Sequence, residues 1–117
     1  MGLTANFNKY TDTNEAAQHS DFSFYAEVLA DDGVTPRPAT DFIDAEYIIA
    51  DLKDNIVIKK TLGDGISVED DKFLVKVDDT ELDFHGAYQH QFVVYNLLGE
   101  RRSPIFQNPL NIIKTLR

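Results

Sequence analysis

The sequence predicts an all-β domain, an antiparallel sandwich of about seven strands, on three observations. Apolar residues recur with a period of two along most of the chain, turn signals arrive about every ten residues, and no segment carries the helical period of an amphipathic helix. With 117 residues and no cysteine, the chain can bury one core without a disulfide framework.

Residues 1–20 are polar and mixed, with Phe7 and Tyr10 as aromatic anchors. They read as an N-terminal arm, either loose or ordered on a neighbouring subunit, and the sandwich is expected over residues 21–117. In DFSFYAEVLA, the residues Phe22, Phe24, Ala26 and Val28 share one face, with Ser23, Tyr25 and Glu27 on the other, as a half-buried strand requires. In DFIDAEYIIADL, Ala45, Tyr47 and Ile49 alternate with Asp44, Glu46 and Ile48. The turn signal LKDN leads to IVIKKTL, then to ISV and KFLVKV, where Phe73, Val75 and Val77 are in phase. The clearest strand is AYQHQFVVYNL, with Tyr88, His90, Phe92 and Val94 on one face. Leu98-Gly99-Glu100 turns the chain into RRSPIF, and LNIIK closes it. Pro104 and Pro109 remove ladder donors, so the last segment should be an edge strand or carry a bulge. Such an edge offers backbone groups to another chain.

Charge narrows the function. A net charge of −9 opposes phosphate neutralisation, so no direct nucleic-acid ligand is expected. Residues 1–98 carry 19 acidic and 7 basic side chains, while residues 99–117 carry one acidic and four basic ones. A basic last strand against an acidic body can guide docking, and Arg101 and Arg102 join Phe7 and Tyr10 as candidate interface residues. The first residues contain no apolar leader region and no run is long enough to cross a bilayer, so the chain reads as soluble, unprocessed and without a membrane partner.

Chemistry is narrowed further by what the residues do not assemble. Without cysteine there is no thiol catalysis and no thiolate zinc site. His19, His85 and His90 are too scattered for a helical zinc motif, and His90 lies in phase with Tyr88 and Phe92 as a core or interface residue. Ser20, Ser23, Ser67 and Ser103 stand outside any nucleophile elbow, and no glycine-rich phosphate loop precedes a helix. No catalytic residue, cofactor or metal is therefore expected. The acidic stretch GDGISVEDDKFLVKV fails the EF-hand spacing, because the alternate positions after Asp64 are Ile66 and Val68. Asp70 and Asp71 read as turn residues. Were every strand to reverse direction, the loops would gather Asp31, Asp32, Asp41, Asp64, Asp79 and Asp83 at one end, where calcium or a basic partner could bind; solvated loop tips are the plainer reading.

The stretch TELDFHGAYQHQF carries Thr80, Leu82, Gly86 and Tyr88 in the pattern T-x-L-x-x-x-G-x-Y. In immunoglobulin-like sandwiches a tyrosine near the start of the penultimate strand sends its hydroxyl back to the upstream backbone and locks the corner. Leu82, Gly86 and Tyr88 are the expected structural corner, with Gly86 supplying a conformation that a Cβ obstructs.

The order of elements from Asp44 to Glu100 resembles an immunoglobulin-like domain of tailed-phage virion proteins, similar to the N-terminal domain of phage baseplate upper proteins. The matching features are Thr61-Leu62 with Gly65-Ile66, Phe73-Val75-Val77, Thr80 with Leu82, Gly86 with Tyr88, and Gly99, and the likeness covers roughly residues 20–114. The resemblance implies a non-enzymatic virion structural protein, made in the bacterial host cytoplasm and resident in the virion, present in many copies or as a homo-oligomer and bound to other capsid or tail proteins. A head-associated component is preferred over a tail or baseplate adaptor. The reading from another class is a carbohydrate-binding or adhesin-type module, with Tyr25, Tyr47 and Tyr95 as an aromatic platform.

Overall fold

The computed structural model describes residues 4–7, 15–29, 35–100 and 106–115. Ten strands run through them: β1 (Thr4–Phe7), β2 (Glu15–Ala17), β3 (Phe22–Leu29), β4 (Pro36–Arg37), β5 (Phe42–Ala50), β6 (Ile56–Leu62), β7 (Gly65–Glu69), β8 (Lys72–Val77), β9 (Gly86–Asn96) and β10 (Phe106–Ile113). A 3₁₀ turn, Ala39–Asp41, leads into β5. No helix among the described residues is long and apolar enough to cross a membrane.

The strands pair in the order β1-β3-β8-β7-β6-β5-β9-β10-β2, with β4 beside β3. Between β7 and β6 this path has a seam, where only Thr61 with Gly65 and Leu62 with Ile66 pair, in parallel. Folding at that seam gives two layers, β1-β3-β8-β7 and β6-β5-β9-β10-β2, the two sheets of an immunoglobulin-like sandwich. The all-β immunoglobulin-like expectation therefore holds, with two amendments: there are more short strands than the expected seven or so, and two of the pairings are parallel.

The seam is built by a tight bend. The Asp64 N–H donates to the Thr61 carbonyl at 2.8 Å, the Thr61 N–H returns to the Asp64 carbonyl at 3.0 Å, and the Gly63 N–H reaches the Ile66 carbonyl at 2.8 Å. Gly65 sits at φ 95°, and a Cβ there would collide with the Lys60 side chain, so this position demands glycine. The chain changes layers here without reversing direction, which alternation alone does not reveal.

The first layer-forming segment is also split. β1 runs antiparallel to β3, with Phe7 opposite Ala26, while β2 runs parallel to β10, with Ala16 opposite Ile112. The segment expected as an arm thus contributes a strand to the outer edge of each layer, and a boundary at residue 20 does not separate it from the sheet. Tyr10 lies outside the described residues.

Period-two burial fills the space between layers. Phe24, Ala26, Val28, Phe73, Val75 and Ile66 come from one layer, and Ala45, Tyr47, Ile49, Phe92, Val94, Leu110 and Ile112 from the other, all at most 1 % exposed. Rings meet across the gap: Phe24 meets Tyr47 edge-on at 5.2 Å between centroids, and Phe73 meets Phe92 at 5.5 Å. Burying each such aromatic or aliphatic side chain contributes about 1.5–3 kcal/mol.

Candidate functional site

The corner named by the sequence lies between β8 and β9. Leu82 is fully buried, Gly86 opens β9 at φ 121°, and Tyr88 is half-buried with its ring 4.7 Å from that of Phe84. Among the described residues the Tyr88 hydroxyl makes no hydrogen bond, so the corner is not tied down by that phenol as expected. Two other devices hold it. The His19 N–H donates to the Leu82 carbonyl at 2.7 Å and the Gln18 side-chain amide to the Asp83 carbonyl at 3.1 Å. Gln18 also reaches the C-terminal segment: its N–H donates to the Ile113 carbonyl at 2.8 Å, and its carbonyl accepts from the Thr115 hydroxyl at 3.1 Å. From the far side, Lys60 Nζ contacts both carboxylate oxygens of Glu81, at 2.6 and 2.8 Å. That ammonium holds the Glu81 carboxyl below its ordinary pKa.

The acidic stretch is turn chemistry. Asp70 and Asp71, at φ 53° and 62°, are the two central residues of the β7–β8 hairpin between the paired Glu69 and Lys72. Two positive φ values at the centre of a two-residue loop match the twist of the flanking strands, and aspartate tolerates them. Of the six loop acids, the described Asp41, Asp64, Asp79 and Asp83 are not gathered as strict reversal of every strand would require. Asp31 and Asp32 lie outside the described residues, and the one close group of three acids among the described residues is Asp21, Asp78 and Asp79, all exposed. The expectation fails because the chain crosses from β6 to β7 without reversing, which shifts every later loop to the other end. Within this group, a hydrogen bond between the Asp78 and Asp79 carboxyls lowers the pKa of the first and raises that of the second.

The histidines are dispersed: His19 and His85 are exposed, and His90 is a core residue whose Nδ1 shares a 2.7 Å hydrogen bond with the Tyr47 hydroxyl. Burial raises the Tyr47 phenol well above its ordinary pKa, so it stays neutral. The three tyrosines of the sugar platform do not share a face. Tyr47 is buried, Tyr25 points out from β3 and donates to Glu69 at 3.1 Å, and Tyr95 lies on β9 out of phase with the buried Val94. Arg101 and Arg102 lie outside the described residues, as does the side chain of Phe7.

Three exposed features remain that suit contact with another molecule. The first is backbone edge. Among the described residues, no strand pairs with the outer side of β6 from Ile56 to Lys60, nor with that of β10 from Phe106 to Leu110, where Pro109 sits opposite Gln89. The expected edge near the C-terminus is therefore present over half of β10, and β2 covers the rest.

The second is a groove of about 210 Å³ where the β5–β6 hairpin turns. Ile48, Ala50 and Ile56 form its apolar part, and Gln89, Gln91, Gln107 and Asp54 supply polar groups around it. A register shift at Ile49/Ala50 brings Ile56 opposite Ala50 and leaves Ile56 56 % exposed. The third is the turn after β9. Leu97 and Leu98 are 67 % and 84 % exposed, and Ile43, 51 % exposed, lies beside the same turn. Asn96 rigidifies it: its side-chain oxygen accepts from the N–H groups of Leu98 at 2.9 Å and Glu100 at 3.0 Å, its amide donates to the Glu100 carboxylate at 3.0 Å, and its carbonyl accepts from Gly99 at 2.9 Å.

Sequence reasoning passed over the last two. Ile48 occupies a polar-phase position of β5, and two adjacent leucines occupy a turn; an apolar residue out of phase and an apolar pair in a turn were the available signals.

No family model matches the chain, and no curated protein matches it. Solved structures do. The Lin-41 filamin domain superposes with a TM-score of 0.57 at 11 % identity, over 92 % of this chain and 90 % of that one. The fibronectin(III)-like modules of Clostridium thermocellum CbhA superpose with a TM-score of 0.55 at 8 % identity, over 97 % of this chain and 47 % of theirs, so this chain spans about half the length of that solved chain. At these identities the likeness is one of fold, and the chain is an immunoglobulin-like β-sandwich.

Proposed function

We propose that this domain is a non-enzymatic structural component of a tailed-phage virion, head-associated and bound to other virion proteins. The observation that carries the reading is the ordered run of features between residues 20 and 114 that resembles phage virion domains. In the fold these features occupy consecutive positions: the seam at residues 61–66, the inward face of β8, the corner at residues 80–88 and the turn at Gly99. What the described surface offers is suited to holding neighbours: open backbone edges on β6 and β10 and an exposed apolar turn, on a body that is strongly acidic. The fold is shared with domains of many functions, so the surface and the resemblance carry the assignment.

The test is direct. Mass spectrometry of gradient-purified particles of the encoding phage should find this polypeptide, and separated heads should retain it while tails do not. Its presence on tails alone would replace the head reading with a tail or baseplate adaptor, and its absence from particles would end the virion reading.

A further inference from the structure

We draw no further inference here: the strongest candidate, the groove at the β5–β6 hairpin formed by Ile48, Ala50 and Ile56, carries nothing because no feature among the described residues shows what fills it.

Discussion

The two ends of the sandwich solve opposite problems. At the corner end, residues distant in sequence are laced together: Gln18 bonds to Asp83 across 65 positions and to Thr115 across 97, and Lys60 reaches Glu81 across 21. At the hairpin end, the turn from Asn96 to Glu100 satisfies its polar groups within five residues and leaves two leucines in solvent. Hydrogen bonds between remote segments oppose unfolding, because breaking one lets two segments separate. A turn that is satisfied locally adds little to the closure of the fold and is free to present its side chains outward. The corner is where stability should be lost on substitution, and the Asn96–Glu100 turn is where side chains should be replaceable with stability kept.

The largest effect should come from Leu82→Ala, which removes the corner's fully buried apolar side chain and should cost about 2–5 kcal/mol in chemical denaturation. A cost below that of an ordinary surface change would mean that the corner does not seat in the core. Gln18→Ala removes the side-chain bond to the Asp83 carbonyl and loosens the first segment from the last; a loss of about 0.5–1.5 kcal/mol is expected, with faster amide exchange at both segments.

Glu81→Gln should cost about 0.5–1 kcal/mol, because the pair is partly exposed and solvent screens it. The sign with pH follows from the lowered carboxyl pKa. The contribution is fully present above the ordinary glutamate pKa and disappears as pH falls through the lower folded-state value. The wild-type advantage over Glu81→Gln should therefore vanish in acid, and a difference that persists there would assign the effect to packing. The smallest effects are expected for Tyr88→Phe and Leu98→Ser, each within about 0.5 kcal/mol. For Tyr88 this follows from a hydroxyl with no hydrogen bond among the described residues; a loss of a full hydrogen bond's worth would restore the phenol as the corner's anchor.

Much of the fold was legible. β3, β5, β8 and β9 announce themselves by alternation, since a strand packed on one side must bury every second residue, and Pro109 lies in the half of β10 whose outer side pairs with no strand among the described residues. The Asp70-Asp71 turn was legible from composition, because few residues other than glycine, asparagine and aspartate accept two positive φ values in succession. The seam was not: Thr61 to Ile66 reads as an ordinary hairpin, and its change of layer depends on what Leu62 and Ile66 pack against. β2 was equally hidden, being three residues, Glu-Ala-Ala, with no strand preference of their own, held extended by β10. Of the candidate corner residues, the positions of Leu82 and Gly86 were legible from their spacing to Tyr88, and the structure adds that Leu82 is buried and Gly86 takes a positive φ. Gln18 was not legible, because nothing local marks a side chain that bonds to segments from the far parts of the chain.

What the amino-acid order determined by itself was the class of structure and the inward face of each main strand, because both follow from short-range alternation and from residues whose backbone freedom is intrinsic. What the tertiary structure alone decided was where the chain changes layers, how residues 4–7 and 15–17 divide between the two sheets, and which polar group secures the corner. Those outcomes depend on pairings between segments tens of residues apart, and a parallel strand of three residues or a glutamine bridging two ends exists only when its distant partners are already in place.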